Sequence, residues 1–294
     1  LSLATARLGS VGAWQSGMLY LTYTGSAIFG ATYFVKKLGA RNALVTGMSF
    51  YCVYVACFWL AITWHEIEGP AALIGAAIGG IGAGFLWTAQ GVYFSRAAEE
   101  HANQLGQPVT DSTAYLAGIF AFIYLAAEVG LRAMSSVLLQ LGGFEWSTIF
   151  GIYSLVTVTS TAGMRFVHNY QDVVSSFGGQ EVSAWYKLTA AWQLLRNDTK
   201  MKYMIGMNAV FGFTAAFLNS YVNGEVVRVV LNDDSSKYIG LLTAWLSAVA
   251  AVMSLVFGRV TQTIGKGPIL MFGALCFLGV VLPFLAVPNV ERWG

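Results

Sequence analysis

Long runs of apolar residues, separated by short polar segments, dominate the pattern of this chain. A membrane-spanning helix needs about 20 mostly apolar residues, because the hydrocarbon core is about 30 Å thick and a helix rises about 1.5 Å per residue. Runs of this length with few charges predict eight spans, at residues 8–35, 42–64, 70–95, 112–143, 146–164, 203–224, 238–258 and 267–290. Strands are excluded, because period-two alternation is absent and lipid would leave the backbone of open strands unpaired. The pattern therefore predicts an all-α fold, a polytopic bundle of transmembrane helices.

Composition strengthens this interpretation and removes several function classes. Hydrophobic residues make up 56% of the 294 residues and charged residues only 10%, whereas a soluble domain is about 25% charged. This is too little charge to cover a surface that faces water, so we expect the lipid bilayer to surround the chain. A net charge of +2 provides no basic field for nucleic acid. The cysteines and histidines lack metal-ligand spacing, so we expect no metal and no cofactor.

Basic residues are distributed unequally between the two sides of the predicted bundle. The cytoplasmic loops of membrane proteins are enriched in Lys and Arg. One side holds eleven basic residues: Lys36, Lys37, Arg41, Arg96, Arg165, Lys187, Arg196, Lys200, Lys202, Arg259 and Lys266. The other side holds four: Arg7, Arg228, Lys237 and Arg292. Loop 36–41 is therefore predicted to face the cytoplasm, or the stroma or matrix of an organelle.

Two loops of the chain repeat the same pattern. The segment FGATYFVKKLGARNALVTG joins the first two predicted spans, and FGRVTQTIGKGPILMFG joins the last two. Each begins with Phe-Gly and turns on a Gly near a basic residue, Gly39 with Arg41 and Gly265 with Lys266. Parallel repeats of six helices build the major facilitator fold, and the Gly-and-base turn resembles the loop signature of that superfamily. This register makes the first span helix two of twelve and the last span helix nine.

The repeat also predicts how the chain is divided. Residues 1–164 form an N-terminal half with five spans, and residues 203–294 contribute three spans of a C-terminal half. Residues 165–202 form a central loop on the cytoplasmic side. Within it, residues 182–195 place apolar side chains on one stripe, which indicates an amphipathic helix on the membrane interface or a partner-binding helix. We expect the chain to be part of a longer protein, because four helices of the repeat are absent from it.

The third predicted span carries a narrower resemblance. A glycine-rich run is followed by Trp87, Thr88, Ala89, Gln90 and Gly91, and then by Tyr93 after one intervening residue. This block is similar to that of the fourth helix in the UNC-93-like branch of the major facilitator superfamily. The stretches KKLGARNALVTG, LLRNDTKMKYM and YIGLLTAWLSAVAAVMSLVFG resemble the same branch, so that the resemblance covers most of residues 10–280. Arg132 departs from it, because related sequences tend to be polar but uncharged there.

Glu128 and Arg132 are the charged residues within the fourth predicted span. Their i, i+4 spacing places them on one helix face, where they can pair. A single charge at the bilayer centre costs about 2.5–3.5 kcal/mol on the insertion scale, and charges inside membranes are functional candidates by default. A structural pair that holds two helices together is an equal alternative. A third interpretation is pigment ligation, because Glu-x-x-x-Arg-Ala-Met is similar to chlorophyll-binding antenna helices, although the spacing is one residue short.

Other candidates are uncharged. Amides within spans need partners in a dry environment, so Gln90, Asn208 and Asn219 are predicted to line a cavity or to bond across helices. The pairs Gly75, Gly79 and Gly80, Gly84 have the small-xxx-small spacing that lets neighbouring backbones approach closely. We group Trp87 with these packing residues, and its position near the end of the span also suits an interfacial aromatic belt together with Tyr93.

Two classes of function follow from these residues. The UNC-93-like resemblance implies an accessory or regulatory membrane protein that acts through helix contacts with membrane-protein partners, because that branch is associated with regulating channels and escorting other proteins. The alternative is a secondary transporter that moves a small solute by alternating access, with Gln90, Glu128, Arg132 and Asn208 near its site. Glu128 is the sole acid within the spans, which disfavours proton coupling. No nucleophile–base pair or phosphate loop has usable spacing, so we expect no enzyme activity.

Overall fold

The computed structural model describes residues 2–170, 195–232 and 238–287, and its ordered elements within these ranges are all helical. Residues 182–194 of the predicted interfacial helix lie outside this description. In chain order the α-helices, numbered α1 to α11, are Ser2–Leu8, Ser10–Ser26, Thr32–Leu38, Ala40–Thr63, Glu68–Leu105, Val109–Gln140, Trp146–Met164, Thr199–Ala216, Val227–Val230, Ile239–Ile264 and Lys266–Ala286. Two π-helices, Ala27–Ala31 and Phe217–Val226, and a 3₁₀-helix, His65–Ile67, join neighbouring α-helices.

The membrane-spanning character of the fold is confirmed, but the predicted count of eight spans is not. Among the described residues, six helical segments are long and apolar enough to cross a bilayer: Ala40–Thr63, His65–Leu105, Val109–Gln140, Thr199–Val230, Ile239–Phe257 and Gly267–Ala286. The predicted span 8–35 is divided by the π-helix at 27–31. The predicted span 146–164 is one continuous helix, but its many Ser and Thr residues lower its hydropathy. The chain is an integral membrane protein that crosses the bilayer several times.

The helices group into two units. One unit comprises Leu1–Gly9, Gly106–Phe144 and Ala209–Gly294, and we call it the cavity unit for the feature described below. The other comprises Ser10–Leu105 and Glu145–Asn208, and we call it the glycine unit. Helix contacts thus group α6 with the C-terminal helices. The division of the chain at residues 165 and 203 stays a prediction.

In the glycine unit, the long helix α5 packs against α2 and α4, and α4 packs against α7. An added Cβ at Gly79 would lie 2.8 Å from Cβ of Tyr54 on α4, and one at Gly75 would overlap Cys57 on the same helix. An added Cβ at Gly80 would overlap the Leu19 carbonyl on α2. Because these glycines have no side chain, α5 approaches both helices closely, which increases van der Waals contact in a lipid solvent.

The second glycine pair on α5 consists of Gly80, described above, and Gly84. Gly84 lies beside the end of α2 and the start of the following π-helix, where an added Cβ would overlap Ser26 Oγ and lie 2.9 Å from the backbone nitrogen of Ala27. On the far side of α4, the rings of Phe58 and Phe150 meet edge-to-face with centroids 4.7 Å apart and join α4 to α7. Trp87, by contrast, is 41% exposed and contributes less than the glycines to this packing.

The two loops of the sequence repeat share a backbone feature. Gly39 follows α3 and has a φ of 78°, and Gly265 follows α10 and has a φ of 83°. These values lie in the left-handed region, which glycine enters without steric cost. In each case a new helix begins at the next residue, Ala40 or Lys266. The repeated glycines therefore mark the same sharp helix-to-helix turn.

Candidate functional site

The cavity unit contains a half-open cavity of about 510 Å³. Its walls come from α6, from α8 with the following π-helix and α9, and from α10 and α11. Most lining residues are apolar, including Phe211, Leu218 and Phe277. Among the described residues, the polar ones in the lining are Glu128, Arg132, Thr214, Asn219, Asn223, Thr243 and Ser247.

Six of these seven polar residues form three pairs with i, i+4 spacing, each pair on a different segment. Helix α6 contributes Glu128 and Arg132, the π-helix contributes Asn219 and Asn223, and α10 contributes Thr243 and Ser247. Residues four apart share one face of a helix. Each wall therefore presents one short polar stripe to the cavity within an otherwise apolar face.

Glu128 and Arg132 form the charged wall of the cavity. The Arg132 Nε donates to Glu128 Oε1 at 2.9 Å, and Arg132 Nη2 donates to the same oxygen at 2.5 Å. The two side chains are 25% and 30% exposed, so that the pair borders the open space. Glu128 Oε2 and Arg132 Nη1 form no hydrogen bond with any part of the chain that the structure describes. One acceptor and one donor of the pair are thus available to a ligand.

Helix α10 is held against α6 directly beside this pair. An added Cβ at Gly240 would lie 2.6 Å from Ser136 Oγ and 2.7 Å from the Arg132 carbonyl oxygen. The Leu241 backbone N–H, in the first turn of α10, donates to Ser136 Oγ at 3.0 Å. The Ser135 hydroxyl donates to the Arg132 carbonyl at 2.8 Å. This close approach fixes the distance between the charged pair and the hydroxyl groups of Thr243 and Ser247 on α10.

The π-helix positions the amide side chains of Asn219 and Asn223 in the cavity wall. A π-helix is wider than an α-helix and occurs frequently at functional sites. The ten residues Phe217–Val226 have this conformation, and both Asn219 and Asn223 are half-buried within it. Their amides form no hydrogen bond with another described residue. On α10, Thr243 and Ser247 are nearly fully buried, and the Thr243 hydroxyl donates to the Ile239 carbonyl at 2.7 Å.

The structure brings together three of the five polar residues proposed from the sequence. Glu128, Arg132 and Asn219 line the cavity. Asn208 is exposed on α8, where its Nδ2 donates to the Met204 carbonyl of the same helix at 2.9 Å. Gln90 belongs to the glycine unit, where it is half-buried on α5.

Four polar lining residues escaped the sequence analysis: Thr214, Asn223, Thr243 and Ser247. The signal for Asn223 was present, because Asn219 and Asn223 repeat the spacing of Glu128 and Arg132. Hydroxyl residues carry no such signal, since Thr and Ser bond to their own helix in many membrane spans. No group of three or more metal-ligating side chains occurs in ranges 2–170, 195–232 and 238–287.

Comparison with known proteins places this geometry in a family context. The sequence profile of the Major Facilitator Superfamily matches residues 4–293. Protein unc-93 homolog A is 24% identical over 297 residues in Bos taurus and 22% identical over 296 residues in Homo sapiens, covering 88% of this chain in both cases. UNC93-like protein 3 of Arabidopsis thaliana is 22% identical over 302 residues, which cover 98% of this chain. These relatives confirm the UNC-93-like resemblance.

These matches cover only part of each relative. The chain spans 63% of the length of each of these three relatives. No solved structure matches the chain.

Proposed function

The chain belongs to the Major Facilitator Superfamily, and from this premise we propose that it is part of a multi-pass membrane carrier that binds a small solute beside Glu128 and Arg132. The observation that carries the proposal is the cavity of about 510 Å³ with polar stripes on three walls. Pockets for small ligands have volumes of about 300–1,000 Å³ and combine apolar walls with a few polar groups. The cavity unit has this composition.

The charged pair supports solute binding on energetic grounds. Each charge alone costs about 2.5–3.5 kcal/mol at the centre of a membrane helix, and such residues typically mark solute or ion pathways. Pairing reduces this cost, but two leucines would avoid it altogether. A pair that borders a cavity and keeps an unbonded oxygen and nitrogen is suited to solute recognition. In a carrier of this fold, movement would follow from rocking one repeat against the other around the bound solute.

An accessory or regulatory function through helix contacts with membrane-protein partners is the second candidate. One observation favours it: among the described residues, Glu128 is the single acid of the cavity lining, and it already pairs with Arg132 on its own helix. A proton-coupled carrier requires an acid that changes protonation during transport. A paired acid without a second titratable partner is suited to a structural role.

Under either function, the basic residues of loop 36–41 support a cytoplasmic, stromal or matrix location of that loop.

Uptake into liposomes distinguishes the two candidates. The full-length protein is reconstituted and tested with a panel of radiolabelled solutes. We expect saturable uptake of at least one solute, lowered about tenfold or more by Glu128→Gln, which corresponds to about 1.4 kcal/mol or more.

The matched control is Glu99→Gln. Glu99 also pairs with an arginine on its own helix, because Arg96 Nη1 lies 2.9 Å from Glu99 Oε2, but this pair is outside the cavity. Its loss should leave uptake unchanged. Absence of saturable uptake for the whole panel, together with a stoichiometric membrane partner that co-purifies, would reject the carrier and favour the accessory function.

A further inference from the structure

We propose that the cavity recognises a zwitterionic molecule with an apolar body, such as a free α-amino acid with a large apolar side chain. This inference rests on the proposed function, because it names the class of solute that the same cavity takes. Its starting point is the pairing geometry of Glu128 and Arg132, in which both arginine nitrogens bind one carboxylate oxygen.

The free atoms of the pair match the two charged groups of a zwitterion. Glu128 Oε2 has no partner among the described residues and can accept a hydrogen bond from an ammonium group. Arg132 Nη1 is equally unbonded within the described chain and can donate to a carboxylate. Because Glu128 and Arg132 are already held together, the ammonium and carboxylate must be close to each other in the ligand. An α-amino acid carries them on one carbon.

The balance of charge in the lining favours the same class. Within the part of the chain that the structure describes, the lining contains one acid, Glu128, and one base, Arg132, while its remaining polar members are amides and hydroxyls. A ligand with a single net charge would satisfy one partner and repel the other. In a site surrounded by lipid, that imbalance is poorly screened. A zwitterion leaves the occupied cavity neutral.

The rest of the cavity accommodates an apolar body. Leu125, Leu218, Val222 and Phe277 supply aliphatic and aromatic walls between the polar stripes. The volume of about 510 Å³ exceeds what an ammonium and a carboxylate alone would fill. Burial of a large apolar side chain against these walls contributes free energy in proportion to the area removed from water.

Three probes with one phenyl body test the charge requirement: L-phenylalanine as the zwitterion, 3-phenylpropanoate as the anion and phenethylamine as the cation. Binding to the full-length protein in maltoside detergent is measured by ligand-dependent thermal stabilisation and by isothermal titration. We expect L-phenylalanine to bind at least tenfold more tightly than either singly charged analogue. A singly charged analogue that binds wild-type protein as tightly as L-phenylalanine would overturn the proposal.

Charge variants make the test specific to the pair. Glu128→Gln leaves Arg132 alone and should invert the preference toward 3-phenylpropanoate. Arg132→Gln leaves Glu128 alone and should invert it toward phenethylamine. Glu99→Gln should keep the wild-type preference. A merely structural pair would weaken all three probes together, and that result would also overturn the inference.

Zwitterionic chemistry also occurs in lipid headgroups, so a fourth probe, lysophosphatidylethanolamine, distinguishes the source. Stabilisation by this lipid that depends on both Glu128 and Arg132, without any by L-phenylalanine, would support the zwitterion and assign it to the bilayer. If none of the four probes binds while saturable uptake of another solute persists, the ligand class is wrong and the carrier function stands. If uptake is absent as well, the carrier function and the zwitterionic ligand class are both rejected.

Discussion

Helix α5 of the glycine unit and the cavity walls of the cavity unit use small and polar residues in opposite ways. Helix α5 has glycines where it meets its neighbours, so that Gly79 lies against the Tyr54 side chain of α4 and Gly80 lies against the backbone of α2. The cavity walls keep polar side chains and leave about 510 Å³ open between helices. Lipid tails are as apolar as leucine, so close contact rather than apolar burial holds membrane helices together. The comparison separates helices that are built for cohesion from helices that leave space for a ligand.

The largest effect is expected at Gly80 on the cohesive side of this comparison. Gly80→Ala would force a methyl group against the Leu19 carbonyl and to within 2.9 Å of the Tyr23 backbone nitrogen. Backbone atoms cannot move aside as a flexible side chain can, so we expect a loss of about 3 kcal/mol in the free energy of unfolding. Denaturation in mixed micelles, followed by tryptophan fluorescence, measures it. Gly91→Ala on the same helix is the control, because no atom lies within 4 Å of an added Cβ there.

A smaller loss is expected where the cavity unit itself is tightly packed. Gly240→Ala would place a methyl group 2.6 Å from Ser136 Oγ and 2.7 Å from the Arg132 carbonyl oxygen. Side chains can absorb part of this strain, so we expect a loss of about 2 kcal/mol in stability and weaker solute binding. Gly279→Ala on α11 meets nothing within 4 Å and should change neither quantity. Equal stability of both variants would show that α10 is not fixed through Gly240.

The smallest effects test which asparagines belong to the cavity. Asn219→Leu should lower uptake about fivefold, equivalent to about 1 kcal/mol, because an amide on the cavity wall is lost. Asn208→Leu should change uptake less than about twofold and stability by no more than about 0.5 kcal/mol, because its amide is exposed and bonds to its own helix. The two variants introduce the same side chain, so their difference isolates position. A stronger effect at Asn208 would contradict the proposed cavity.

Local features could be predicted from the sequence. The helical class follows from the length of the apolar runs, and the pairing of Glu128 with Arg132 follows from their spacing within one helix. The turns at Gly39 and Gly265 were also readable, because a repeated Gly beside basic residues is a local pattern. Each of these properties depends on residues that are neighbours in the chain.

Features that depend on several helices could not be predicted. The cavity combines Asn223 on the π-helix with Thr243 on α10 and Glu128 on α6, and no local pattern relates segments so far apart in the sequence. The π-helices themselves were missed, because no residue pattern in 27–31 or 217–226 distinguishes these segments from ordinary α-helical turns. This omission explains why residues 8–35 were predicted as one uninterrupted span. Gln90 and Asn208 were grouped with the cavity because composition identifies an amide in a span but not the wall that it faces.

The pairing of Glu128 with Arg132 within a single helix has a consequence for biogenesis. During synthesis, helix α6 must leave the translocation channel and enter lipid before the helices that follow it along the chain have been made. An unpaired charge would oppose that lateral transfer. Partners four residues apart can neutralise each other as soon as their own helical turn has formed, so this segment carries its counterion into the bilayer with it.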